Sequence, residues 1–125
     1  MPQSLDSFFA DYGEALLTFS GEKIAEFYQV PLAIYSDHGI QTVTDYQQVA
    51  EFWKQGVKQY ADKKIANTRA EILEQDQLSK TIEVAKVKWS NFDINGKDAG
   101  GETNFYILSN GEDGLKISGL IIMAQ

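Results

Sequence analysis

The chain contains no cysteine in its 125 residues, which removes disulfides, thiolate nucleophiles, iron–sulfur clusters and thiolate zinc sites at once. Histidine occurs once, as His38, too few for a metal centre built on imidazole. Apolar runs are short. The longest, Leu120-Ile121-Ile122-Met123-Ala124, is a fraction of the roughly 20 residues a membrane helix needs, so no membrane association is expected. Met1-Pro2-Gln3-Ser4 begins without basic residues leading into an apolar stretch, so no secretory signal is expected and the cytoplasm is the default setting. Positive charge is also scarce: 11 basic residues face 18 acidic ones, for a net charge of −7. Such a surface repels a phosphate backbone, and nucleic acid is not an expected partner. The one basic cluster, Lys58 with Lys63-Lys64, lies where a helix should end, and cations there complement the helix dipole.

Aromatic residues are plentiful: two tryptophans, six tyrosines and seven phenylalanines. Large rings fill a core and also line apolar pockets. A chain of this length and composition fits a single domain over residues 1–125. Leu5, Phe8, Phe9, Tyr12, Leu16 and Phe19 recur at three-and-four spacing, one stripe of a helix that Ser4 or Asp6 can cap. A second helix is expected from Ser20-Gly21-Glu22, with Ile24, Phe27 and Tyr28 on one side, ended by Pro31. Leu32–Tyr35 and Ile40–Val43 read as strands joined by Ser36-Asp37-His38-Gly39. Thr44 and Gln47 form a capping box for a third helix striped by Tyr46, Val49, Ala50, Trp53, Val57, Tyr60 and Ala61. Beyond Lys64 the period becomes two. Strands are expected near Ala66–Glu74, Ser79–Phe92, Thr103–Leu108 and Leu115–Met123, with hairpin signals at Asn95-Gly96 and Asn110–Gly114. Helices first and hairpin-linked strands afterwards is an α+β order.

With these elements the chain resembles the nuclear-transport-factor-2-like superfamily, which includes ketosteroid isomerases, scytalone dehydratases, SnoaL-like proteins and small uncharacterised proteins. The markers are Phe9, Tyr12, Ile24, Phe27-Tyr28, Pro31, the Gly39 turn, Thr44-Asp45-Tyr46, Trp89 and Asp113-Gly114-Leu115-Lys116-Ile117. They look closest to an uncharacterised, small bacterial-type subgroup. The resemblance implies a cone-shaped roll, with three N-terminal helices in the concavity of a curved, mixed but mostly antiparallel sheet. It does not carry a reaction across. Tyr12 falls where the isomerases place a tyrosine donor, but their base position falls on Ser36, with Asp37 beside it, and their second acid falls on Phe105. A phenyl ring cannot donate to an enolate. The paired His/Asp arrangement of the dehydratases is unmatched too, since His38 sits in a turn.

Tyr12, Tyr28, Trp53, Val57, Trp89, Phe105, Ile117 and Gly119 are the expected lining of a pocket between helices and sheet. The same rings also read as ordinary core packing. Asp37 is the candidate base and Tyr12 the candidate donor of any catalytic pair, although Asp37 and His38 read equally well as polar hairpin residues. Glu71, Glu74, Asp76 and Glu83 are spread over different strands and both faces, a solvated surface rather than a cation site. No cofactor is called for, and Gly100-Gly101 precedes no helix that could hold a phosphate. In Ser79–Phe92, Ile82 and Val84 lie on one alternation, and Ala85, Val87 and Trp89 on the other. Either a bulge near Ala85 shifts the parity or the sheet is apolar on both faces. In the last strand Ile117, Gly119, Ile121 and Met123 should face the cone, leaving Leu120 and Ile122 outward as the contact of a homodimer. Three functions remain: a homodimer binding a small apolar molecule, a cofactor-free lyase or isomerase for a hydrophobic carbonyl compound, and a structural dimerisation module with a filled cone.

Overall fold

A computed structural model describes residues 4–123. Residues 1–3, on which the reading of the chain's start rests, and Ala124 of the last apolar run lie outside the described residues. Helix α1 spans Leu5–Leu16, and Ser4 caps it by accepting a hydrogen bond from the Ser7 N–H at 3.1 Å. Its stripe is buried, but the helix stops before Phe19, which adopts a positive φ of 57° and lies exposed. Helix α2 is short, Gly21–Ala25, with Ser20 as its cap. A Cβ on Gly21 would collide with the Ala50 carbonyl oxygen of the third helix, so glycine is what lets the two helices touch. Helix α3 spans Tyr46–Asp62. Its cap sits one residue later than expected: Asp45 accepts from the Gln48 N–H, and the Gln48 side chain reaches back to the Thr44 N–H at 3.1 Å.

The strands are β1 Tyr28–Ser36, β2 Gly39–Val43, β3 Ile65–Gln77, β4 Ile82–Asp93, β5 Asp98–Gly111 and β6 Gly114–Ile122. They form one six-stranded sheet in the order β2-β1-β6-β5-β4-β3, antiparallel except where β1 runs parallel to β6. Tyr28 therefore opens a strand instead of closing a helix. Pro31, which has no N–H to give a ladder, sits in the irregular stretch of β1 between Tyr28 and Ala33. The sheet remains open, and the helices cover its concave side: an α+β cone.

Extra residues bend the strands and reset which side chains face inward. In β3 the register slips between Ile72 and Glu74, opposite Val87 and Lys86. β4 itself runs in regular register with β5 from Ile82 to Ser90, so no bulge at Ala85 shifts its parity. Ala85, Val87 and Trp89 are buried on the concave side, Ile82 and Val84 take the convex side, and the strand is apolar on both faces. In β6 the slip falls at Ser118: Leu108 pairs with Ile117 but Ile107 pairs with Gly119. The Ser118 hydroxyl is held by the Ser109 hydroxyl at 2.9 Å. Leu115 and Ile117 face the core before the slip, and Leu120, 1 % exposed, faces it afterwards. Leu120 and Ile122 are therefore concave-side residues, and the expectation that they point outward is corrected. Ile121 and Gly119 take the convex side.

The deep part of the cone is full. Phe8, Phe9 and Tyr12 of α1 meet Trp89 of β4 and Tyr106 of β5 in a continuous set of ring contacts with centroids 5.0–6.4 Å apart. Burying each such ring contributes roughly 1.5–3 kcal/mol. The polar atoms among these rings are paired: the Tyr12 and Tyr28 hydroxyls lie 2.6 Å apart, and the Trp89 indole N–H donates to the Tyr106 hydroxyl at 2.9 Å.

Candidate functional site

The open end of the cone differs from its apex. Between the second half of α3 and the facing strands lies a cavity of about 290 Å³. Phe52, Trp53 and Tyr60 of α3, Ile65 of β3, and Leu120 and Ile122 of β6 form its apolar walls. Asn91 of β4 and Glu102 and Asn104 of β5 bring polar groups, and Lys63 stands just beyond α3. Asn91 and Asn104 are the buried non-aromatic polar side chains among the described residues, and both line this cavity. Buried amides need partners. Asn91 has one, accepting from the Thr68 hydroxyl at 2.6 Å. Asn104 Oδ1 has none, whereas the buried Trp53 indole N–H is directed at the Tyr28 hydroxyl.

Local sequence explains how these groups arrive. Trp53 lies over Gly56, one helical turn on, where a Cβ would stand 3.2 Å from the indole. Glu102, Asn104, Tyr106 and Leu108 alternate onto the concave face of β5. A Cβ on Gly101 would strike the Trp89 carbonyl oxygen, so this glycine lets β5 press against β4 beside the cavity. Burial raises the pKa of Glu102, opposed by the neighbouring Asn104 amide and the Lys63 charge. Burial, and then the Glu102 charge, also raise that of Tyr60. The hydroxyls of Tyr12 and Tyr28 are held neutral chiefly by burial as well.

Among the described residues, further hollows are grooves lined by no buried polar side chain. One of about 290 Å³ runs between α1 and β3, where Asp6, Glu14, Asn67 and Arg69 are all exposed. Among the described residues no group of three or more acidic or histidine side chains is placed to hold a metal ion. No helix there is long and apolar enough to cross a membrane.

The sequence family described as NTF2-like protein (DUF6841) matches residues 3–124. The chain belongs to this family. No curated protein matches this NTF2-like chain. Solved structures share its fold at low identity. One is a domain of unknown function with a cystatin-like fold from Nostoc punctiforme (15% identity, TM-score 0.74, 97% of this chain and 75% of that one). Another is an NTF2-like protein of unknown function from Shewanella oneidensis (14%, 0.68, 91% of each chain). A third is a putative calcium/calmodulin-dependent protein kinase type II association domain from Thiobacillus denitrificans (8%, 0.72, 99% and 98%).

Within this NTF2-like protein the expected pocket residues separate into three groups. Trp53 lines the cavity. Tyr12, Tyr28, Val57, Trp89 and Ile117 are 0–3 % exposed and packed into the core. Phe105 and Gly119 belong to the convex face: Phe105 alternates with the inward Asn104 and Tyr106, and a Cβ on Gly119 would lie 2.9 Å from Ile107 Cδ1. Asp37 is exposed in the β1–β2 turn, whereas Tyr12 is sealed in the core, so the two form no catalytic pair. Glu102 and Asn104 escaped the sequence reading. The signal was their alternation with Tyr106 and Leu108, masked because Phe105-Tyr106-Ile107-Leu108 is apolar at every position.

Proposed function

We propose that this protein binds a small, mainly apolar molecule in the cavity at the mouth of the cone and does so as a homodimer. The observation that carries the binding reading is the chamber itself, walled by Phe52, Trp53, Tyr60, Leu120 and Ile122 and lined by the few polar side chains Asn91, Glu102 and Asn104. Pockets for small molecules have this make-up, and about 290 Å³ lies near the roughly 300 Å³ lower end of their range. The packed rings of the apex support the filled-cone reading there, and the cavity supports binding at the mouth. A thermal-shift series against neutral bicyclic aromatics tests the proposal, since a ligand that binds only the folded state raises Tm. Ile122→Trp, which fills the chamber from its wall, should abolish the shift while leaving the fold intact. Equal shifts in both proteins would place binding elsewhere.

The dimer reading is supported by the convex face. Registers align Tyr35, Ile121 and Phe105 in one row, and Ala33, Gly119, Ile107 and Val84 in the next. This is an apolar patch across four strands, of the kind that marks an interface in a water-soluble protein, and a two-fold axis would make it self-complementary.

One observation favours a second reading, a cofactor-free lyase or isomerase for a hydrophobic carbonyl compound. Glu102 stands in the cavity with its pKa raised by burial, as a proton-transferring carboxyl requires. It replaces Asp37 in the role of base. In this reading Glu102→Gln abolishes turnover of any carbonyl substrate found and leaves its binding in place.

A further inference from the structure

We infer that the ligand of the mouth cavity is an organic cation, a protonated amine on an apolar body, held by the Glu102 carboxylate against the rings of α3. The inference rests on the binding reading above and adds the ligand's charge. Glu102 is the acidic side chain that lines the chamber, and it is half-buried rather than sealed, so an occupant can reach it. Alternation along β5 sets it on the concave face. Its charge is felt there by the hydroxyls of Tyr28, Tyr60 and Tyr106, which converge from β1, α3 and β5. An ionised carboxylate can accept about four hydrogen bonds. Here the Asn104 amide stands beside it, and Lys63 acts on it from an exposed position past the end of α3, where its charge is screened by water. Burial prevails over both and disfavours the charged form. An ammonium group seated in the chamber supplies the charge and the N–H donors that burial removed.

The rest of the chamber suits such a molecule. Phe52 and Trp53 stand perpendicular, with ring centroids 5.3 Å apart, and make a corner of aromatic surface that Tyr60 extends about two turns further along α3. A cation within about 6 Å of a ring centroid is attracted by the ring's quadrupole. Opposite these rings, Ile65, Leu120 and Ile122 offer an apolar wall to a hydrocarbon body. The whole chain acts in the same direction, since a net charge of −7 draws cations and repels anions. A carboxylate ligand would meet Glu102 head-on, and a neutral one would leave its charge unmatched.

The probes are 2-naphthylmethylamine, its neutral counterpart 2-naphthylmethanol and the anion 2-naphthoate, each titrated by calorimetry into the full chain at pH 7. The amine should bind about tenfold more tightly than the alcohol, the scale of one charge-assisted hydrogen bond, and the naphthoate should bind most weakly. Glu102→Gln keeps the shape of the side chain and removes its charge. In that variant the amine should lose its advantage while the alcohol binds as before, which also shows that the variant is folded. The ranking of the three probes on the wild type needs no variant, so it stands even if Glu102→Gln fails to fold. If the alcohol or the naphthoate binds the wild type as tightly as the amine, or the amine keeps its advantage in Glu102→Gln, the ligand class is wrong and the pocket survives. If none of the three binds the wild type, or all bind Ile122→Trp equally well, the pocket reading itself falls.

Discussion

At the mouth of the cone, burial works against the Glu102 carboxylate, and its pKa is raised in consequence. The sign of the effect on stability follows by linkage. The folded state holds this proton more tightly than the unfolded chain does, so stability falls as pH rises from the ordinary glutamate value of about 4.3 through the raised folded value. It is constant with respect to this group beyond both. Glu102→Gln removes the dependence. The variant should gain Tm relative to wild type between pH 4 and pH 7, by scanning calorimetry at both values, and a gap that does not change with pH would contradict a destabilised carboxylate. Single residues were legible in the sequence where type alone decides placement. Tyr12, Tyr28 and Trp89 are large rings at inward positions of their elements, and inward they go. Whether a ring lines a void or fills it depends on what stands opposite, and periodicity carries no such information. Asp37 illustrates the converse: its turn was legible from Ser36-Asp37-His38-Gly39, and the turn keeps it in water.

Among the elements, β6 decides the most. One additional residue at Ser118 exchanges the two faces of the strand for every position that follows. Strict alternation from Ile117 puts Leu120 outside, yet it is 1 % exposed beneath the helices. Leu120→Ala should therefore lower unfolding free energy by roughly 2–4 kcal/mol, as a core truncation does, without changing the mass of the particle. Urea unfolding and light scattering on the same sample separate these results. A near-neutral stability change would return Leu120 to the surface. The adjacent Ser118-Gly119 was the available hint, since glycine within a strand marks bulges and close approaches. A similar one-residue ambiguity lies at α3, where Thr44 and Asp45 are both competent caps and the aspartate takes the position. Helices and strands were legible as types because their periods differ. Their ends and parities were not, because a single inserted residue costs little locally and moves everything beyond it.

For the whole molecule, the order of helices before strands announced an α+β architecture, and the family resemblance supplied the cone. The parallel meeting of β1 with β6 joins residues 86 to 89 positions apart, and no local pattern encodes such a contact. The convex patch belongs to this scale as well. Phe105 sits between Ile121 and Lys86 in the register, so Phe105→Lys would put a cation at the centre of the proposed contact. Wild type should show the mass of two chains at micromolar concentration and the variant that of one, with unchanged circular dichroism. A wild type that scatters as a single chain would remove the dimer and leave the cavity untouched.

The two tryptophans are divided between the two halves of the cone. Trp89 is sealed at the apex, its indole donating to Tyr106, whereas Trp53 borders the chamber. Their emission should therefore report separate events. A soluble quencher such as acrylamide should reach Trp53 first, and an occupant of the mouth should shield it. The light from Trp89 should hold steady until the chain unfolds, so that one cuvette follows occupancy and denaturation as independent signals.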